Sequence, residues 1–210
     1  VQALAEIIPD GKTTRALMEI ARRKKMWIAG GLVEKSPEGI FNSALLASPS
    51  GDVFTYRKVH LYNEEKIWFK PGNLGFKSID TGFCKAGLMI CFDWFFPESA
   101  RTLALQGSDI ICHCANLVLP YCQNAMVTRC LENRVYAATA NRTGEDNAGV
   151  RVLKFTGGSQ IVSPRGDILF RAGNNGDEVG IVEVDVSAAR DKRLNEFNDL
   201  FLDRRPEYYL

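Results

Sequence analysis

Cys91 closes the apolar run "AGLMIC" and opens the aromatic, acidic stretch "FDWFFPE". A thiol at such a junction can act as a nucleophile. A strand that turns sharply into a helix presents its last side chain at the sheet edge and leaves backbone N–H groups free to hold an oxyanion. A thiol with no histidine base needs another source of activation, namely a nearby cation and a carboxylate. Lys58 in "YRKVHL" and Glu65 in "NEEKIWFKPG" are residues of the right type. Together they could support attack on an electrophilic carbon, with a cation beside the charge that develops.

Plainer readings compete with this one. Free cysteine is among the most buried residue types, so Cys91 could be a core thiol. Taken alone, "YRKVHL" reads as a solvated strand end. "CHC" at 112–114 invites a metal, but in a strand Cys112 and Cys114 point to one face and His113 to the other. With no CxxC or HxxxH pair elsewhere, no metal site is expected. A Cys/His hydrolase would need His60 or His113 beside Cys91, and His113 lies within an apolar strand, as a core histidine does.

The elements that must position these residues follow from periodicity. "TTRALMEIARRKK" reads as a helix whose basic end suits a helix C-terminus, and "MWIAGGLVE" as the strand after it. "FNSALLASPSGDVFTYRKVHL" reads as strand, Ser-Pro-Ser-Gly turn, strand. "AGLMIC" is apolar throughout, as a strand buried on both faces should be. "PESARTLALQG" begins with Pro97 and Glu98 in a first helical turn and stops at Gly107. Strand "DIICHCAN", helix "NAMVTRCLENR" and strand "VYAATANR" come next, then strands in "GGSQIVSP", "RGDILFRA" and "EVGIVEVDV". The pattern predicts an α/β layered sandwich.

The chain has 210 residues, 46% apolar and 24% charged, with 26 basic and 25 acidic side chains. That length and the lack of a linker or repeat predict one domain over residues 1–210. A net charge of +1 gives no electrostatic reason to expect nucleic acid or an anionic membrane as partner. No apolar run reaches the roughly 18 residues that span a bilayer. The six cysteines cluster among apolar neighbours in mid-chain, unlike a secreted disulfide framework, so reduced thiols and the cytoplasm are expected.

The segments "YRKVHLYNEEKIWFKPGNLG", "GLMICFDWFFPESAR", "CLENRVYAATANR", "GGSQIVSPRGDIL" and "NDLFLDRRPEYY", in this order, resemble the nitrilase superfamily of carbon–nitrogen hydrolases. The resemblance implies an αββα four-layer sandwich whose subunits pair through outer helices, and a homodimer or higher homo-oligomer. It matches Cys91 to the nucleophile, Lys58 to the family lysine and Glu65 to a second glutamate that helps position substrate, with Glu64 its rival neighbour. The Phe92 backbone N–H would share the oxyanion with Lys58. Trp94 and Phe95, which follow the nucleophile turn, and Asn116, at the end of the next strand, are expected at the substrate, although plain core packing competes for the two aromatics. Glu98 and Arg101 are expected to anchor the helix behind the site. The implied substrate is a small amide, an N-carbamoyl compound or a nitrile, with no cofactor or metal. A nitrilase-like interaction protein without activity is the competing class.

One family element is not matched. The general base of the family is a glutamate in an "FPE" or "LPE" segment ahead of "IPDGKTT", which here begins at Ile8. Glu6 lacks the strand and the Pro-Glu context, and the role is not carried onto it. An N-terminally incomplete fold, without the first strand, first helix and base, is therefore expected, and with it low stability and little hydrolysis for these 210 residues alone.

Overall fold

Helix α1 (Lys12–Lys24) turns Leu17, Met18 and Ala21 inward and ends where Lys25 adopts a left-handed backbone, φ 53°. Arg22, Arg23 and Lys24 in its last turn complement the partial negative charge of the helix C-terminus. The computed structural model describes residues 1–147 and 152–209. The next three strands, β1 (Ile28–Ser36), β2 (Gly39–Ala47) and β3 (Val53–Arg57), form an antiparallel sheet in the order β1-β2-β3. Side chains alternate across this sheet. Leu45 and Ala47 pack on α1, while Ala44, Leu46 and Tyr56 face the other way.

That other face meets a six-stranded sheet. After the short helix α2 (Glu65–Trp68) come β4 (Ser78–Asp80), β5 (Lys85–Ile90), helix α3 (Pro97–Leu105), β6 (Ile110–Ala115), helix α4 (Cys122–Asn133) and β7 (Tyr136–Asn141). A small hairpin, β8 (Glu145–Asn147) and β9 (Val152–Lys154), precedes β10 (Gln160–Val162) and β11 (Ile168–Arg171). The sheet runs β11-β10-β7-β6-β5-β4, with β5, β6 and β7 parallel and joined by α3 and α4. Ala86, Leu88 and Ile90 pack against the first sheet, and Met89 and Ile111 pack with Leu103 and Met126 under α3 and α4. Each fully buried Leu or Met contributes about 1.5–3 kcal/mol. At Gly87 a Cβ would stand 2.7 Å from the Leu103 side chain, so glycine is what lets α3 lie this close to β5. The result is helix, sheet, sheet, helix: the four layers expected.

Two expectations need correction. "EVGIVEVDV" was predicted as a strand, but residues 178–186 form none, and Val179 and Ile181 stand 86% and 92% exposed. Alternation supplies a strand's side-chain pattern, but its backbone groups also need a hydrogen-bonded neighbour, and this segment has none in the described structure. Trp94 was a pocket candidate, yet it is only 5% exposed and packs in the core under α3 and α4. The turn after Cys91 rotates it inward.

Candidate active site

The site forms where β5 and the end of β3 reach the same edge of the two sheets. Cys91 follows Ile90 with φ 42°, a left-handed backbone that costs a residue with a Cβ about 1–2 kcal/mol, and opens a single 3-10 turn, Cys91–Phe95. Several bonds hold it there. The buried Asp93 carboxylate accepts the Ile90 N–H at 2.9 Å through Oδ2 and, through Oδ1, the His60 N–H at 3.3 Å and Nδ1–H at 2.8 Å. The Tyr56 hydroxyl donates to Asp93 Oδ2 at 2.7 Å, and burial beside that carboxylate pushes the phenol pKa far up, so it stays a donor. Asp93 thereby ties the nucleophile turn to the segment after β3.

His113 secures the other side. Its Nε2 lies 2.9 Å from the Cys91 carbonyl and its Nδ1 3.2 Å from Thr139 Oγ1. Burial lowers its pKa, so the ring is neutral; Nε2–H donates to the carbonyl and Nδ1 accepts from the hydroxyl. The histidine is spent on the backbone of Cys91 and does not serve its thiol, which removes the Cys/His reading.

Lys58 is fully buried, and its Nζ reaches Glu65 Oε2 at 2.5 Å. Its backbone is fixed at both ends, with the N–H donating to the Asn42 carbonyl and the carbonyl accepting the Gly72 N–H, each at 2.8 Å. A Cβ on Gly72 would fall 1.9 Å from the Arg57 carbonyl oxygen, which explains the glycine in "FKPG". Glu65 opens α2, and besides Lys58 it accepts the Tyr62 N–H at 2.6 Å and Asn42 Nδ2–H at 2.8 Å. Burial raises the Cys91 thiol pKa, the Lys58 charge works against that rise, and Glu65 adds to it. Cys91, Lys58 and Glu65 thus share one electrostatic environment.

The other expected residues divide. Asn116 is exposed at the end of β6, and its backbone carbonyl stands 4.0 Å from Cys91 Sγ. Phe92 lines an apolar pocket of roughly 430 Å³ with His60, Lys66, Phe69, Pro71 and Phe96. Phe95 is half exposed, its ring tilted against those of Phe92 and Trp94. Arg101 donates to the Glu132 carbonyl at 2.9 Å, which anchors α3 to the end of α4. Glu6 is committed elsewhere: its carboxylate accepts the Thr13 N–H and hydroxyl at 2.7 Å each, at the start of α1. No group of metal-ligating residues occurs among the described residues. Sequence reasoning passed over Asn42, Tyr56 and Asp93. Strand parity could have found the first two, since both lie on the inner face that carries Ala44 and Leu46.

Comparison with known proteins bears on the family and the fold. A family model described as "Carbon-nitrogen hydrolase" matches residues 1–193. A nitrilase of Pyrococcus abyssi is 52% identical over 206 residues, covering 98% of this chain and 77% of that protein. The crystal structure of a carbon–nitrogen hydrolase from Helicobacter pylori G27 superposes with a TM-score of 0.81 over 95% of this chain and 79% of its own, at 24% identity. A variant of the amidase from Nesterenkonia sp. AN1, 30% identical, has a TM-score of 0.73 over 86% of this chain and 72% of its own. Its structure shows the result of Michael addition of acrylamide at the active-site cysteine. With a cysteine on a left-handed turn, a buried lysine and a glutamate drawn together on a four-layer sandwich, this chain belongs to the carbon–nitrogen hydrolase family of the nitrilase superfamily.

Proposed function

We propose that the protein hydrolyses a non-peptide carbon–nitrogen bond of a small amide or N-carbamoyl substrate through a Cys91 thioester. The observation that carries this is the fully buried Lys58, held by Glu65; the lysine's charge opposes the rise that burial gives the Cys91 thiol pKa. The Cys91 sulfur, its proton passed to a carboxylate, attacks the carbonyl carbon, and the C=O π pair moves onto oxygen. Lys58 and the Phe92 N–H stabilise that oxyanion. Its collapse breaks the C–N bond, and the nitrogen leaves as ammonia or an amine carrying the transferred proton. Water then attacks the thioester, releasing the acid and restoring the thiol. The resemblance assigns the proton acceptor to a glutamate in a segment these residues do not match. Should these 210 residues alone turn over an amide, Glu65 would become the leading replacement. Phe92, Phe95 and Asn116 would border the substrate, and the apolar pocket beside Phe92 would take its less polar end.

A second reading, hydrolysis of a small organic nitrile, is favoured by the 52% identity to a protein named nitrilase. Attack on a nitrile would give a thioimidate that one water converts to the same thioester, with loss of ammonia. The six unpaired thiols suit a reducing compartment such as the cytoplasm, and exposed Phe197, Leu202 and Tyr208 suit pairing with a second copy. Ammonia release by the intact protein from a panel of amides, carbamoyl amino acids and nitriles tests the proposal. Turnover is expected with at least one class and is expected to vanish in Cys91→Ala with the fold retained. Turnover that survives Cys91→Ala would overturn the reading.

A further inference from the structure

We infer that Asn42 is a positioning residue that sets the lysine and the glutamate of the site in one geometry. The inference rests on the reading of Cys91, Lys58 and Glu65 as the reacting group. Asn42 lies on the same face of β2 as Ala44 and Leu46, two positions before the apolar stripe that packs between the sheets. A polar side chain in line with that stripe must find a partner or leave a buried polar group unsatisfied. Its partner is Glu65 Oε1, 2.8 Å from Nδ2.

The same residue also holds Lys58, through its backbone. Its carbonyl accepts the Lys58 N–H at 2.8 Å, which carries the β2–β3 pairing one step beyond Ser43 and Arg57. Asn42 therefore bonds both members of the ion pair, one through its main chain and one through its side chain. The division at Glu65 shows why the side-chain bond matters. Oε2 takes both the Lys58 Nζ and the Tyr62 N–H, at 2.5 and 2.6 Å, whereas Oε1 accepts from Asn42. Both oxygens lie off the Cγ–Cδ axis, so the two donors on Oε2 resist a turn of the carboxylate plane from one side only. A third donor on the other oxygen fixes that plane, and with it the direction in which Lys58 presents its remaining N–H groups. An oxyanion donor acts through its direction, so a loosened plane costs rate more than binding.

A double-mutant cycle on the intact protein tests this, with Asn42→Leu, Glu65→Gln and the pair. Asn42→Leu keeps the branching at Cγ and the backbone bond to Lys58 and removes the side-chain amide. It is expected to lower kcat about 10- to 100-fold with KM changed less than about 3-fold. If Asn42 acts through Glu65, adding Asn42→Leu to Glu65→Gln should slow the enzyme by less than about 2-fold further. A kcat within about 2-fold of the parent, or losses that multiply, would overturn the inference. Should Asn42→Leu lose cooperative melting, Asn42→Asp replaces it. That variant keeps the shape, turns the donor into a like charge facing Glu65, and must lose at least as much kcat. Should the parent release no ammonia from any substrate class, the proposed function fails. The cycle is then read on the rate of Cys91 alkylation by iodoacetamide, where coupled changes support the inference and additive or absent changes overturn it.

Discussion

Cys91 gains its character from two opposing influences. Burial raises the thiol pKa, and the Lys58 charge is the largest influence that lowers it. The thiolate reacts, so alkylation of Cys91 by iodoacetamide should accelerate as pH rises through that pKa. Lys58→Met removes a lowering influence, and the midpoint of the pH–rate curve is expected to move to higher pH; mass spectrometry of the labelled peptide reads it. An unmoved midpoint would break the link between Lys58 and the nucleophile. Labelling should also be selective. Burial pushes the pKa of Cys112 up to about 12 and that of Cys114 to about 11, and raises those of Cys84, Cys122 and Cys130. At neutral pH these groups stay protonated and packed. Faster labelling of any of them than of Cys91 would count against the nucleophile assignment.

The elements that deliver Lys58 depend on one buried ion pair. Arg57, the last residue of β3, donates to both oxygens of Glu34 on β1, with Nη2–Oε1 at 2.6 Å and Nε–Oε2 at 3.0 Å. Ser43 on the intervening β2 donates to Glu34 Oε2 at 2.6 Å, and the guanidinium lies 4.0 Å over the Phe41 ring. All three strands are thus fastened one residue before Lys58. Truncating one partner leaves the other charge buried and uncompensated, which costs about 3–5 kcal/mol. Glu34→Ala is expected to lose that much in urea unfolding, with lower turnover, whereas exposed Glu207→Ala should change stability by less than about 0.5 kcal/mol. A Glu34→Ala protein as stable as its parent would show that the pair does not fasten this edge. A second element-scale test is Gly72→Ala. Its Cβ would collide with the Arg57 carbonyl, so it should disturb Lys58 and reduce kcat even where the melting temperature is kept.

Across the whole molecule, the exposed apolar side chains include a group near the end of the described chain. Phe197, Leu202, Tyr208 and Tyr209 are exposed, while Phe201 tucks against the core beneath Arg101 and Lys192. Exposed apolar surface of this kind favours association, and we expect a homodimer or higher homo-oligomer. Light scattering at micromolar concentration should give a mass of at least two chains, and a strictly monomeric mass would reject that expectation. Replacing Phe197 and Leu202 by Ser should shift the equilibrium toward monomer without altering the monomer's fold.

The sequence alone carried the order of most elements and, through its resemblance to a family, the four-layer expectation and the candidates Cys91, Lys58 and Glu65. Alternation and 3.6-residue periodicity mark β1, β2, β3, β5, β6 and β7 and α1, α3 and α4, and Cys91 stands as the last residue of an apolar strand before a helix that begins with Pro97. Lys58 and Glu65 were legible through their motifs, and their 2.5 Å contact joins residues only seven apart. Tertiary structure decided what pattern cannot encode. "EVGIVEVDV" has the alternation of a strand but no hydrogen-bonded neighbour, and "FDWFF" does not reveal that one turn buries Trp94 and leaves Phe95 exposed. The supports of the site were equally hidden, because they join distant positions: Asp93 to Tyr56 across 37 residues, His113 to Cys91 across 22, and Asn42 to Glu65 across 23. A residue's type and neighbours show what chemistry it can do. Only the packing of two sheets face to face shows which donors will hold it in place.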